Sequence, residues 1–104
     1  MISAQVPKDL PDSVTPDLLL VILIEECAEI QKACTKTLRF GPHGDKAPEA
    51  GYKNIDDLLV ELGELHAVMS MFLAGFDKEE QKRLSQIFEL AGHNKIDAVI
   101  KWSQ

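Results

Sequence analysis

Two stretches of helical periodicity, separated by a loop rich in glycine and proline, constrain the fold of this chain most. Apolar residues recur with the spacing of an α-helix over residues 15–38 and again over 54–74. Between them, residues 40–53 read FGPHGDKAPEAGYK and show no period, which indicates a loop. A loop this long is often functional, and a mobile surface loop is an equally good interpretation.

Capping residues predict where these two helices begin. They also indicate two further helices later in the chain. Thr15 precedes a proline and is a favourable N-cap for the first helix, as Asn54 is for the second. Asp77 opens a third helix, Gly92 should end it, and Asn94 should cap a short fourth one. The expected helices therefore cover about 15–38, 54–74, 77–90 and 94–102.

These elements define the expected architecture. With 104 residues the chain should form a single domain, 1–104, with residues 1–14 as an irregular N-terminal arm. No segment has a convincing strand pattern, so the predicted fold class is all-α, a bundle of about four helices. The run Leu18 to Ile24 is apolar all round the helix, and one protomer is too small to cover it. We therefore expect the bundle to be completed by oligomerisation.

Charge and cysteine content exclude several functions. A net charge of −6 argues against binding a nucleic-acid polymer, which needs a basic surface. No apolar run approaches the ~20 residues of a membrane span, so we expect no membrane partner. Cys27 and Cys34 lie two turns apart on one helix, too far for a disulfide. We interpret them as small, reduced core residues, which fits a cytoplasmic location.

Each long helix carries a Glu-x-x-Glu pair at matched positions. Glu26 and Glu29 lie beside an apolar stripe on the first helix, and Glu61 and Glu64 recur 35 residues later beside a similar stripe. If the two helices pack together, the four carboxylates converge and repel one another strongly. A solvated acidic face is the alternative interpretation for either pair.

A divalent cation would relieve that repulsion. Mg²⁺ prefers hard oxygen ligands and keeps waters that a phosphate can replace, and Mn²⁺ accepts similar ligands. The Glu-x-x-His spacing of a di-iron bundle, a P-loop and the usual zinc motifs are all absent from the sequence. Lys32, Lys36 and Arg39 follow on the first helix and predict a basic face suited to a polyphosphate, with helical ion pairs as the alternative.

The order Glu25-Glu26-x-x-Glu29 followed by Glu61-x-x-Glu64 resembles the EExxE…ExxD pattern of the MazG-type, all-α nucleoside triphosphate pyrophosphohydrolases. The resemblance covers roughly residues 18–74. It implies Mg²⁺-dependent hydrolysis of a (d)NTP to the monophosphate and pyrophosphate by a homodimer or homotetramer. It also implies that Glu26, Glu29, Glu61 and Glu64 are the metal ligands. The family pattern ends in Asp where this chain has Glu64, which leaves the number of metal ions open.

The resemblance also suggests catalytic and substrate-binding roles. Glu25 supports the site, and either Glu25 or Glu61 would orient the attacking water, which makes Glu25, Glu26 and Glu61 the expected catalytic residues. Apart from the resemblance, Asn54 and Trp102 lie at expected helix ends and are candidates to contact the base, in addition to the basic face on the first helix; a core anchor is the alternative interpretation of Trp102. The competing hypothesis is a non-enzymatic helical protein that oligomerises through residues 18–24 and whose glutamates only keep it soluble.

Overall fold

The computed structural model describes residues 5–47 and 51–104, and these are predominantly helical. The chain divides into two compact units, Met1–Phe72 and Leu73–Gln104. The described elements are α1 (Pro16–Phe40), β1 (Asp45–Ala47), β2 (Tyr52–Lys53), α2 (Asn54–Ala74) and α3 (Lys78–Ser103). The all-α class is confirmed. In the described part of the chain no helix is both long enough and apolar enough to cross a membrane.

Helix α1 begins as its sequence predicts and ends at Phe40, two residues beyond the expected end. The Thr15 hydroxyl accepts a hydrogen bond from the Leu18 N–H at 3.1 Å, and Pro16 occupies the first helical position, where its missing N–H costs nothing. Gly41 ends the helix with a φ of 84°, and its N–H donates to the Thr37 carbonyl. A side chain at Gly41 would be strained by that positive φ, so glycine suits the position.

The connection after α1 contains two short strands that the sequence did not predict. β1 and β2 pair antiparallel, with Asp45 opposite Lys53 and Ala47 opposite Tyr52, and the register shifts between the two pairs. Segments of three and two residues are too short to show a period of two, so no sequence pattern could reveal them. The expectation of a chain without strands is therefore wrong in this segment.

Helix α2 has the expected extent, but its predicted cap is wrong by one residue. Asn54 is already helical, and the residue before it, Lys53, donates its N–H to the Asp56 carboxylate at 2.9 Å. This bond is half of a capping box, in which a side chain three positions on satisfies the N–H of the cap residue. The Asn54 side chain is consequently turned away from its own helix end, and its amide donates to the Gly41 carbonyl at 3.1 Å.

Helix α3 runs unbroken over Lys78–Ser103, so the predicted stop at Gly92 and the separate fourth helix are wrong. A glycine inside a helix costs only about 1 kcal/mol relative to alanine, which the flanking turns can absorb. The predicted cap at the start is confirmed, because the Asp77 carboxylate accepts from the Glu80 N–H at 2.8 Å. The Glu80 carboxylate pairs with Arg83, and this contact lowers the pKa of Glu80.

Few side chains of the described residues are fully buried. Leu19 and Ala33 are the buried apolar residues, and Asn54 is the buried polar one. Cys27 and Cys34 are free thiols, as expected, but both are exposed, so their interpretation as core residues is wrong. The less exposed stripe of α1 passes one residue away from each cysteine, through Glu26 and Ala33.

Candidate metal site

Glu26 lies within the inward stripe of α1. The buried or half-buried residues of this helix include Leu19, Leu23, Glu26, Ile30 and Ala33, which recur at helical spacing on one face. A glutamate at the centre of such a face is unusual, because an ionised carboxylate loses hydration there without an evident partner. The sequence pattern had placed Glu26 only at the edge of the apolar stripe.

Glu61 occupies the equivalent position on α2. The corresponding buried or half-buried residues are Asn54, Leu58, Glu61, Leu65 and Val68, each exactly 35 positions after its counterpart on α1. The repeat noticed in the sequence is therefore also a repeat in burial, with one glutamate at the centre of each stripe. Glu29 and Glu64, the second acids of the two pairs, are both exposed.

The structure brings three of the four predicted ligands together. One carboxylate oxygen from each of Glu26, Glu61 and Glu64 lies within 4.8 Å of the other two. Oxygens bound to one Mg²⁺ at ~2.1 Å are roughly 3 to 4.2 Å apart, so small side-chain rotations would bring this trio to ligand distance. Glu29 lies outside the trio, although its charge acts on Glu61.

The electrostatics of the trio are unfavourable without a cation. Burial raises the pKa of Glu26, and the hydrogen-bonding Glu64 carboxyl and the charges of Glu64 and Glu61 raise it further. Burial also raises the pKa of Glu61, with added repulsion from Glu64, Asp57 and Glu29, against a hydrogen bond with Glu26 that lowers it. The Oε2 atom of Glu26 is buried and has no hydrogen-bond partner among the residues that the structure describes.

These observations fit a divalent cation. A buried, unpartnered carboxylate oxygen facing two other carboxylates lacks a positive partner, and a hard cation supplies one. All three donors are carboxylates, which is the chemistry that Mg²⁺ or Mn²⁺ accepts and that softer metals do not prefer. Glu26, Glu61 and Glu64 are therefore the residues that could hold the ion.

Asp57 belongs to the electrostatic environment of the site, and the sequence interpretation missed it. It is half-buried one turn before Glu61, and its charge raises the pKa of that residue. Asp57 is also one of two acids in the first turn of α2, where a negative charge suits the helix dipole. Its spacing of four residues from Glu61 and seven from Glu64 was the signal, because these intervals put all three on one helix face.

The predicted substrate residues lie at increasing distance from the trio along α1. Lys32 is exposed about 9 Å along the helix axis from Glu26, Lys36 is half-buried about 15 Å away, and Arg39 is exposed about 20 Å away. The Arg39 guanidinium lies over the Phe40 ring, 5.0 Å from its centroid. Glu25 is exposed, one residue before Glu26.

Asn54 has a structural contact that its predicted role did not include. Its side chain is 5% exposed, and its amide holds the Gly41 carbonyl beside the start of α2. The Asn54 N–H donates to the Gly44 carbonyl at 2.8 Å, which ties a second point of the loop to the same helix end. These bonds fix the start of the helix that carries Glu61 and Glu64.

Comparison with known proteins returned no match, whether to a family model, a curated protein or a solved structure.

Proposed function

We propose that this protein is a Mg²⁺-dependent nucleoside triphosphate pyrophosphohydrolase that converts a (d)NTP and water to the monophosphate and pyrophosphate. The observation that carries the proposal is the trio Glu26, Glu61 and Glu64, with a buried, unpartnered oxygen on Glu26. The reaction class rests on the resemblance of the two acidic pairs to the MazG-type pattern. The trio supports a metal site, and the resemblance supports its use on a nucleotide.

The glutamates of α1 and α2 would have two roles, binding the cation and orienting the attacking water. Glu26, Glu61 and Glu64 hold the cation, with Glu29 adding negative charge at the edge of the site. When bound, the ion would neutralise phosphate oxygens and lower the pKa of a coordinated water. Glu25, exposed beside Glu26, is assigned to orient the attacking water.

Substrate phosphates would meet α1 beyond the trio. Lys32 is the cation closest to Glu26 along the helix axis, so we assign it to the triphosphate. Lys36 and Arg39 lie further along and would contact the distal parts of the substrate. Cleavage at the α-phosphorus requires the water and the leaving pyrophosphate to lie in line, which a substrate held between the trio and Lys32 would permit.

One observation favours a second candidate, a non-enzymatic helical interaction protein. Large apolar side chains remain exposed on each of the three described helices, among them Ile24, Leu59 and Phe88. Exposed apolar surface of this extent is typical of proteins that associate with a partner. This candidate does not account for the buried oxygen of Glu26, which is why we place it second.

A turnover assay with matched variants tests the proposal. The protein is incubated with each of the common NTPs and dNTPs, with and without Mg²⁺, and monophosphate and pyrophosphate are quantified. We expect Mg²⁺-dependent release of both products in equal amounts, and a loss of at least about 100-fold in Glu26→Gln and Glu61→Gln. Glu79→Gln, an exposed acid in the first turn of α3, is the control and should retain activity.

Circular dichroism must show that each variant keeps its helical content, so that a loss of turnover reports on the site. Turnover of no nucleotide by the wild type, or full activity in Glu61→Gln, would reject the proposed reaction. Release of orthophosphate in place of pyrophosphate would retain a metal-dependent hydrolase and reject attack at the α-phosphorus.

A further inference from the structure

The start of α2 is tied to the end of α1 by hydrogen bonds that span the intervening loop. The Asn54 amide donates to the carbonyl of Gly41, the residue that ends α1, at 3.1 Å. The N–H groups of Asn54 and Ile55 donate to the Gly44 and Pro42 carbonyls at 2.8 and 2.9 Å. We call these three bonds the loop clasp. They join the two helix ends within the first of the two compact units.

The same bonds argue against a substrate at this helix end. Backbone N–H groups at a helix N-terminus are common donors to a phosphate, but those of Asn54 and Ile55 already have carbonyl partners. Asp56 and Asp57 in the first turn carry negative charge, which repels a polyphosphate. The Asn54 side chain is 5% exposed, and its amide is engaged by Gly41. A nucleotide would have to break the loop clasp to reach this amide, which favours a different role for Asn54.

We propose that Asn54 is a positioning residue. Through the loop clasp it sets where α2 lies along α1, and thereby how far the Glu26 carboxylate is from those of Glu61 and Glu64. The inference rests on the metal site of the proposed function. Glu61 follows Asn54 by seven residues, or two helical turns, on the same less exposed stripe. Because helices hold site residues more rigidly than loops do, a shift at Asn54 is passed on to Glu61.

The trio is sensitive to such a shift because its members come from two helices. Glu26 belongs to α1, whereas Glu61 and Glu64 belong to α2, and one oxygen of each lies within 4.8 Å of the other two. Mg²⁺ demands near-ideal octahedral geometry at about 2.1 Å, so a displacement of roughly 1 Å between the helices takes a ligand out of bonding distance. The common helix fixes Glu61 relative to Glu64, but their distance from Glu26 depends on how the two helices are held together.

Directional bonds add what apolar packing between two helices lacks. Apolar contacts are non-directional, whereas a hydrogen bond restricts both a distance and an angle. The loop also passes too close to Asn54 for a side chain at Gly44, whose Cβ would lie 2.8 Å from the amide nitrogen. The amide is therefore enclosed by the loop that it holds, and its removal frees both the loop and the start of α2.

Magnesium affinity in two destabilised variants separates positioning from stability. Asn54→Ala removes the amide, whereas Thr15→Ala removes the cap of α1, with a comparable loss of stability and no change to the loop clasp. Well below the Tm of each variant, we expect calorimetry to give an Mg²⁺ dissociation constant raised about tenfold in Asn54→Ala and unchanged in Thr15→Ala. Equal affinities in Asn54→Ala and the wild type, or an equal loss in both variants, would overturn the proposal.

Kinetics distinguish positioning from direct contact with a nucleotide. At saturating Mg²⁺ we expect Asn54→Ala to recover the wild-type kcat with an unchanged KM for the nucleotide, because excess ion offsets the lost affinity by mass action. A raised KM that excess Mg²⁺ does not restore would show that Asn54 contacts the substrate, and it would reject the positioning role.

A distance measurement in the metal-free protein keeps this inference separate from the proposed function. Spin labels on Cys27 of α1 and on Leu62→Cys of α2, both exposed positions, report the separation of the two helices in a Cys34→Ser background. We expect double electron–electron resonance to show a broader or shifted distance distribution in Asn54→Ala and the wild-type distribution in Thr15→Ala. An unchanged distribution in Asn54→Ala refutes the positioning role whether or not the protein binds metal. A changed distribution in a protein that binds no Mg²⁺ supports the positioning of the helices and rejects the metal site alone.

Discussion

The buried amide of Asn54 lies at the start of α2, the helix that carries two of the three clustered glutamates, and substitutions there test whether its hydrogen bond holds the preceding loop. Its amide donates to the Gly41 carbonyl at 3.1 Å, and the side chain is 5% exposed. Replacing Asn54 by alanine removes that donor, and replacing it by aspartate puts an acceptor in its place. We therefore expect the free energy of unfolding to be highest for the wild type, lower for Asn54→Ala and lowest for Asn54→Asp.

The size of the effect follows from the remaining bonds. The Gly41 carbonyl also accepts from the Gly44 N–H at 3.2 Å, so Asn54→Ala does not leave it without a partner. The loss should then be about 1–2 kcal/mol, the net value of one hydrogen bond plus a small cavity. In a chain of this size that corresponds to a fall in Tm of roughly 4–15 °C. Asn54→Asp should lose at least ~1 kcal/mol more, because a buried carboxylate would face a carbonyl oxygen.

Thermal unfolding followed by circular dichroism measures this order. At the start of an exposed helix, aspartate would stabilise the protein by ~0.3–1 kcal/mol through the helix dipole. The two explanations therefore predict opposite signs for Asn54→Asp, a gain in stability if the position is exposed and a loss if the amide is buried and bonded. If Asn54→Asp is as stable as the wild type, or more stable than Asn54→Ala, the amide does not hold the loop as described. If Asn54→Ala leaves Tm unchanged but lowers turnover, Asn54 contacts substrate and its buried bond contributes little.

Three further predictions follow from the backbone and from the charge of the trio. Gly44→Ala should lower Tm, because its Cβ would lie 2.6 Å from the Phe40 carbonyl oxygen and 2.8 Å from Asn54 Nδ2; an unchanged Tm would contradict the loop geometry. Gly63→Ala should raise Tm by a few degrees, about 0.5–1 kcal/mol, because its Cβ meets nothing within 4 Å; a lower Tm would show a neighbour there. Without Mg²⁺, ionising Glu26 destabilises the fold because its pKa is raised, so Glu26→Gln should have the higher Tm at pH 7. That difference should vanish below about pH 3.5, well under the ordinary glutamate pKa, where the wild-type carboxyl is largely protonated in both the folded and the unfolded state. A difference independent of pH would refute the electrostatic cause.

The proximity of three of the four glutamates could be predicted from the sequence because its signal is local. Glu26 and Glu61 sit at fixed intervals from apolar neighbours, and helical geometry converts those intervals into a shared face. The sequence pattern placed both glutamates at the edge of their apolar stripes, whereas in the structure both lie at the centre of the less exposed stripe. The difference arises because the centre of the inward face depends on which side of each helix is covered by other residues. Sequence spacing gives the angles between residues on a helix but does not specify which side is covered.

The departures from the sequence predictions have different physical causes. Gly92 was interpreted as a helix stop, yet the turns on either side of it continue, because glycine weakens a helix without ending it. The paired strands after α1 are set by backbone bonds within the loop, which leave no side-chain pattern. Cys27 and Cys34 were assigned to the core because their spacing places them on one stripe with Leu23 and Ile30, but the inward face of α1 is centred on Glu26.

Titration of Mg²⁺ by calorimetry, in wild type, Glu61→Gln and Glu79→Gln, tests most directly whether the glutamate trio is a metal site. Glu61 is half-buried and its carboxylate approaches two others within 4.8 Å, whereas Glu79 is exposed in the first turn of α3. We predict saturable binding in the wild type and in Glu79→Gln, and an affinity at least about tenfold weaker in Glu61→Gln. Identical isotherms for Glu61→Gln and wild type, or no binding heat in the wild type, would contradict the assignment of Glu26, Glu61 and Glu64 as ligands.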